Sequence, residues 1–154
     1  DLQGMFFLKD NNTSNNKTFV KHLAEDCKSN QVYKGILNDR AKATYFSNTY
    51  VNQVAQKTEG YQLSKGILLS DNASYFSKPE LKIYADDVKC SHGSTIGPID
   101  ENAIFYLRSR GMSKIAATKI LISSFINEEL SSINDELMSE TIQKKLVRYL
   151  SKVK

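Results

Sequence analysis

Between Thr18 and Val88 the hydrophobic residues come in short runs that polar corners separate. The runs are rich in Val, Ile, Tyr and Phe, and Asn, Asp, Ser and Gly interrupt them. β-Branched and aromatic residues favour strands, whereas small polar residues and Gly favour turns. The pattern therefore predicts a body of short strands over the runs TFV, QVYKGIL, ATYFSNTYV, YQL, GILL and LKIYA.

An internal repeat runs through these strands. YKGIL at 33–37 returns as SKGIL at 64–68, displaced by 31 positions, and ATYFS at 43–47 returns as ASYFS at 73–77, displaced by 30. Strands that recur at a fixed period without helices between them favour a solenoid, in which successive coils stack on one another. Ankyrin and tetratricopeptide units have a similar period, but their helices do not fit this composition.

The repeat predicts a mainly β fold, a parallel β-helix whose inward side chains, such as Leu37 and Leu68, stack from coil to coil. On this interpretation each repeat holds about two coils of roughly 15 residues. An antiparallel β-sandwich is the competing architecture, because it also consists of short strands with polar corners.

The composition changes after the last strand-like run. Pro98 ends the strand pattern, and Asp100 is the candidate N-cap of a helix over the run ENAIFYLRSR. Gly111 occupies the C-cap position of that helix. Ser113 caps a second predicted helix, and a third begins near Leu137. We therefore predict two domains, a β-helix over 1–97 and a helical domain over 98–154.

The formal net charge of +4 and the pI of about 9.0 do not come from one basic block. Lys and Arg are spread along the chain, which indicates a solvated surface and no nucleic-acid partner. The sequence has no apolar run of about 18 residues and no signal-peptide pattern, so we expect no membrane partner. The two cysteines lie 63 positions apart, which favours reduced thiols and an intracellular location.

Cys90 and His92 are the candidate metal ligands. In an extended segment, DDVKCSHG at 86–93 places both side chains on one face. A thiolate and an imidazole are common metal ligands, but these two donors alone do not complete a metal site. A zinc site that also uses His22 and Cys27 is disfavoured by their spacing, and we expect both to be ordinary coil residues. A nucleophilic Cys90 oriented by His92 is disfavoured too, since side chains at i and i+2 run parallel.

The segment KPELKIYADDVKCSHGSTIGPIDENAIFYLRSRGMS at 78–113 resembles the signature of the SufB/SufD family of the SUF iron-sulfur cluster assembly scaffold, SufBCD. CKSNQVYKGILNDRAKATYF at 27–46 and AQKTEGYQLSKGILLSDNA at 55–73 are similar to the strand repeats of that family. The SufD branch is favoured, because the SufB pattern has a His-Glu-Ala stretch where this chain has CSHG at 90–93.

The resemblance implies a right-handed parallel β-helix, here the C-terminal coils of a longer solenoid, followed by a small helical domain. It implies a non-catalytic scaffold subunit that pairs through the β-helix with SufB, or with itself in the absence of SufB. The helices are expected to bind the ATPase SufC. A transient iron-sulfur cluster shared with the partner would take His92 and Cys90 as ligands, and none is expected on the isolated chain. The expected location is the bacterial cytoplasm or the plastid stroma of an apicoplast or chloroplast.

Two alternatives stay open at this stage. A β-helix enzyme acting on a polysaccharide or an acyl donor would have a deep groove lined by carboxylates or a histidine. A purely structural subunit would leave the cluster to its partner alone. Only substitution of Cys90 and His92 in the assembled SufBCD complex distinguishes a structural role from a ligand role.

Overall fold

The computed structural model describes residues 1–153. Its contacts divide the chain into two compact units, one over Asp1–Gly97 and one from Pro98 onward. The first unit is built of β-strands and the second of α-helices. The strands are β1 (Leu2–Leu8), β2 (Thr13–His22), β3 (Lys28–Leu37), β4 (Lys42–Val51), β5 (Thr58–Leu68), β6 (Ser74–Ile83) and β7 (Val88–Pro98).

Consecutive strands alternate between two sheets. One sheet has the order β1-β3-β5-β7 and the other the order β2-β4-β6. The β1–β3, β2–β4, β3–β5 and β4–β6 pairs are all parallel. Each odd strand and the even strand after it therefore form one coil, and β7 begins a further coil after the first three. The predicted parallel β-helix is confirmed, and the sandwich interpretation is wrong.

The length of a coil differs from the prediction. Gly35 pairs with Gly66, and the whole of YKGIL lies beside SKGIL. The 31-residue repeat is therefore one coil of two strands, and the prediction of two coils in each repeat is wrong. The strands β3 and β4 have 10 residues each, because polar residues continue them beyond the apolar runs that marked them in the sequence.

The second pair of repeated segments, ATYFS and ASYFS, does not pair residue by residue, because its strand register is shifted by two positions. Ala43 pairs with Tyr75, and Tyr45 pairs with Ser77. A shift by two positions keeps each side chain on the same face of its strand, so both tyrosines point into the solenoid and are buried. Each ring thus lies beside a small side chain of the neighbouring coil, which keeps the interior filled without crowding.

Interior glycines make room for aromatic rings. A Cβ atom on Gly66 would come within 2.5 Å of Cδ1 of Tyr75, and one on Gly35 would overlap the ring of Phe6. Because both glycines leave this space, Phe6 and Tyr75 meet edge to face with ring centroids 5.2 Å apart. The repeated Gly of KGIL therefore marks a close approach of a ring to the backbone.

Part of the interior is polar, which the sequence did not predict. Thr18 Oγ1 donates to Gln31 Oε1 at 2.7 Å, and Gln31 Nε2 donates to Thr49 Oγ1 at 2.9 Å. Gln62 Nε2 donates to the same Thr49 oxygen at 2.6 Å. These bonds connect the two sheets and satisfy the buried amide of Gln31 and the amide nitrogen of Gln62, while Gln62 Oε1 has no hydrogen-bond partner.

Capping residues mark the starts of the three helices in the helical unit, and a glycine follows the end of the first. Asp100, Ser113 and Asp135 accept backbone N–H groups at the three N-termini, the first two as predicted. Gly111 has a φ of 91°, a left-handed conformation that favours glycine after a helix. Within residues 1–153 no helix is both long and apolar enough to span a membrane. The helices are α1 (Glu101–Ser109), α2 (Lys114–Leu130) and α3 (Glu136–Leu150).

The fit of rings over interior glycines predicts the effect of Gly66→Ala. The added methyl group would clash with the buried ring of Tyr75, so we expect the free energy of unfolding to fall by about 1–3 kcal/mol. Gly97→Ala is the matched control, because a Cβ there has nothing within 4 Å. The control should stay within about 0.5 kcal/mol of the parent in urea unfolding. Equal losses in the two variants would contradict the role given to Gly66.

Candidate functional site

The CSHG segment lies on β7, at the open end of the solenoid. β7 is the last strand of its sheet, and β6 is the last strand of the other. Val88, Cys90 and Ile96 contact interior clusters, so the even-numbered positions of β7 face inward. His92 shares this face, because its ring reaches across to β6. The prediction that Cys90 and His92 point the same way agrees with this geometry.

His92 is exposed and has one nitrogen available. Its Nδ1 lies 3.1 Å from the carbonyl oxygen of Pro79. A carbonyl only accepts hydrogen bonds, so Nδ1 carries the proton and donates it. In the neutral ring the lone pair then resides on Nε2, which is the arrangement that metal-binding histidines commonly have. The Pro79 carbonyl thus fixes the orientation of the ring and leaves Nε2 as the nitrogen with the lone pair.

Cys90 has a different environment. It is half-buried and packs against the cluster formed by Val51, Ala55 and Ala85. Burial raises the pKa of the Cys90 thiol, although a hydrogen bond from the Gly60 backbone partly opposes that rise. The sulfur is therefore protonated near neutral pH and is a weaker donor to iron than a thiolate. Of the two predicted ligands, His92 is therefore the more exposed to solvent.

His22 lies closer to Cys90 than its position in the sequence suggested. A Cβ atom on Gly60 would lie 3.3 Å from Cys90 Sγ and 3.8 Å from His22 Nε2. His22 is 3% exposed, and its Nε2 lies 2.9 Å from the hydroxyl of Ser29. His22 on β2 and Cys90 on β7 belong to coils that are several apart, yet both side chains reach Gly60. The signal in the sequence was Gly60, because a residue without a side chain leaves room for groups from other coils to converge.

The second cysteine, Cys27, is half-buried and free. Across residues 1–153 no group of at least three His, Cys, Asp or Glu side chains is arranged to hold a metal ion. Cys90 and His92 are two donors on one strand, so any metal they bind would need further ligands from elsewhere.

The helical unit exposes several large apolar side chains. Phe105 and Leu137 are 74% and 75% exposed, which is unusual for residues of this size. Tyr106, Met138 and Val147 are more than half exposed as well. These residues give the helical unit an apolar surface of its own.

Comparison with known proteins places the chain in a family. Residues 1–125 match the family model described as SUF system FeS cluster assembly, SufBD core domain. This match covers most of the chain, including β1–β7 and α1. The chain therefore belongs to the SufBD family of the SUF iron-sulfur cluster assembly system.

Individual relatives agree with this assignment. The chain is 38% identical to the iron-sulfur cluster assembly protein SufD of Escherichia coli over 86% of its own length and 31% of that protein. It is 31% identical to SufD of Plasmodium falciparum over 98% of its length and 10% of that protein. It is 42% identical to the chloroplastic protein ABCI7 of Arabidopsis thaliana over 65% of its length and 21% of that protein. The chain thus spans at most about a third of these relatives, so their whole-protein activities and partners are proposals for it.

The environment of Cys90 predicts slow alkylation. In a Cys27→Ser variant, Cys90 is the only cysteine, and its reaction with iodoacetamide near neutral pH should be several-fold slower than that of glutathione. The reason is its raised thiol pKa and its partial burial. Unfolding in urea should restore the ordinary rate. A folded chain that reacts as fast as glutathione would rule out the protonated, half-buried thiol.

Burial of His22 predicts a pH-dependent stability. Burial lowers the pKa of His22 below its ordinary value of 6.5, so the unfolded chain binds the proton more readily than the folded one. The contribution to stability is therefore complete above pH 6.5 and is lost as the pH falls through the lowered pKa. His22→Gln should flatten this part of the profile of urea midpoints against pH. An unchanged slope in the variant would show that His22 is not its source.

Proposed function

We propose that the protein is a non-catalytic scaffold subunit on which an iron-sulfur cluster is assembled, with His92 as a ligand of the nascent cluster. The single observation that carries this role is the exposed ring of His92, whose Nδ1–H is held by the Pro79 carbonyl. Iron in clusters accepts imidazole nitrogen in place of some thiolates. The cluster is cargo here, so the ligand must bind it well enough to hold it and still release it to another protein.

Cys90 is the second candidate ligand in this proposal. Its protonated thiol would have to lose a proton to bind iron, and the nearby metal ion itself would favour that loss. Packing against Val51 and Ala55 limits its reach, so we assign it the weaker role. A subunit that is purely structural, with the cluster held by the partner alone, is the alternative that substitution of His92 tests.

The partner at the open end is proposed to be a SufB-type sister subunit. A site with only His92 and Cys90 needs further ligands, which a facing subunit supplies most simply. β6 and β7 are the last strands of their sheets, and their free edges favour pairing with strands of another chain. In the absence of that sister, a second copy of this chain is the expected occupant. On this proposal the coils belong to a longer solenoid.

The helical unit is proposed to bind an ATPase of the SufC type. Phe105, Tyr106, Leu137 and Met138 are exposed and apolar, which suits a protein interface. Because the family serves the SUF system, we place the protein in the bacterial cytoplasm or, in a eukaryote, in the plastid stroma. One relative carries the word chloroplastic in its name. The family match favours the scaffold over the enzyme acting on a polysaccharide or acyl donor, for which no contact offers specific support.

Substitution of His92 tests the proposed role. The protein at its natural length, carrying His92→Ala, is co-purified with its SufB-type and SufC-type partners and then used for cluster reconstitution. We expect the complex to assemble normally, while the yield of cluster, read from its visible absorbance and bound iron, falls at least several-fold. Ser91→Ala is the matched control, because Ser91 is the exposed neighbour on the opposite face of β7.

The outcomes of this experiment are distinct. Normal assembly with lost cluster supports His92 as a ligand. Normal assembly with a full yield of cluster would remove His92 from the mechanism and leave the purely structural role. Failure of the complex to form in both variants and in the parent would contradict the partner assignment itself.

A further inference from the structure

The lysines that look scattered in the sequence gather on one face of the solenoid. Along β2, β4 and β6 burial alternates, so every second side chain points outward. The outward positions carry five lysines and a single acidic residue, Glu80, which gives this face a charge of +4. That value equals the formal net charge of the whole chain. The lysines are Lys17, Lys21, Lys42, Lys78 and Lys82. These lysines are exposed to solvent, but they share one face, which their spread along the sequence did not reveal.

The lysines are ordered by the strand register. Lys17, Phe46 and Lys78 lie in one row across the three strands. Lys21, Tyr50 and Lys82 lie in a second row of the same kind. The rows are four positions apart along each strand, which corresponds to about 13 Å. An aromatic ring is thus flanked by two cations in each row.

Aromatic side chains are interleaved with these cations. Phe19 and Phe76 are 61% and 57% exposed, which is more than isolated surface residues of this size usually show. Lys21 Nζ lies 5.2 Å from the Phe19 ring, and Lys17 Nζ lies 5.9 Å from the Phe46 ring. Phe46 also contacts Phe76, with centroids 5.8 Å apart. Phe19 and Phe76 therefore remain open to solvent beside the lysines, while Phe46 lies between Lys17 and Phe76.

An acceptor group lies between the two cationic rows. Asn48 Nδ2 donates to Glu80 Oε2 at 3.2 Å, and Lys78 forms an ion pair with Glu80 at 2.7 Å. Hydrogen bonds from Lys78 and Asn48 lower the pKa of Glu80, so its carboxylate is ionised near neutral pH. A molecule that covers this face must offer anions to the lysine rows and hydrogen-bond donors to the centre.

We propose that the outer face of β2, β4 and β6, with its two lysine–aromatic–lysine rows, docks an acidic segment of a partner protein. A peptide supplies carboxylates, apolar side chains and backbone N–H donors together, which matches the lysines, the rings and Glu80. Single-stranded nucleic acid fits less well, because its closely spaced phosphates would bring negative charge against the ionised Glu80 carboxylate, whereas a peptide can place a backbone N–H there. The lysine ammonium groups also pair readily with carboxylates as point charges. This face lies on the sheet that does not contain His92, so the inference is independent of the role in cluster binding.

Binding of a defined probe tests the proposal. The protein at its natural length is titrated with a labelled peptide rich in Glu and Tyr, and separately with single-stranded DNA and with vesicles of anionic phospholipid. We expect the peptide to bind in a salt-sensitive manner. The double variant Lys21→Glu/Lys82→Glu should weaken this binding about tenfold or more. The matched control is Lys28→Glu/Lys89→Glu, which changes the charge equally on exposed strand positions elsewhere and should bind as the parent does.

A third variant separates a docking site from general charge attraction. Phe76→Ser leaves the charge unchanged but removes an exposed ring, and we expect it to weaken peptide binding several-fold. Equal loss in the two charge variants, or no loss with Phe76→Ser, would overturn the docking site in favour of non-specific attraction. Tighter binding of DNA or vesicles than of the peptide would assign the face to another class of partner. Protection of Lys17 and Lys21 from acylation in the free protein at its natural length would show that its own chain covers the face.

Discussion

The whole β-helix depends on how closely its two sheets can approach each other. Rings of Phe6 and Tyr75 occupy space that Gly35 and Gly66 leave free, and the two rings meet inside the solenoid. A side chain at Gly66 would clash with the Tyr75 ring of the opposite sheet, and one at Gly35 would clash with the Phe6 ring of the neighbouring strand in its own sheet. The close approach also brings Gln31 and Gln62 within hydrogen-bonding distance of Thr49 on the opposite sheet. A single packing constraint thus supports both the apolar and the polar parts of the interior.

The same stacking explains why the candidate site lies where it does. Where another coil follows, it covers the inward side chains, as at His22 on β2. On β7 no described strand follows in that sheet, so His92 faces inward by its position and still reaches solvent. Cys90, two residues earlier, remains against the core cluster and keeps its proton. Cys90 and His92 share one face of β7 but differ in exposure, because the core cluster covers Cys90 and leaves His92 in solvent.

Much of the architecture could be predicted from the sequence, because the repeated KGIL is an in-register pair in the structure. The capping residues Asp100 and Ser113 likewise gave the starts of α1 and α2. The coil length was wrong because polar positions inside strands give no apolar signal, and the polar interior around Gln31 was missed for the same reason. The convergence of His22 and Cys90 on Gly60 depends on packing between distant coils, which spacing along the chain does not encode. The lysine face was hidden because its five members are divided among three strands of three different coils instead of forming a block.

The central claim is that the Nε2 nitrogen of His92 binds iron of the nascent cluster. The most direct measurement is pulsed electron paramagnetic resonance on the reduced cluster in the complete complex, with this subunit alone labelled with ¹⁵N-histidine. The account predicts a ¹⁵N coupling from a directly bound imidazole, and this coupling should disappear in His92→Ala while remaining in His22→Gln. A cluster without any ¹⁵N coupling, or one whose coupling persists in His92→Ala, would contradict the claim.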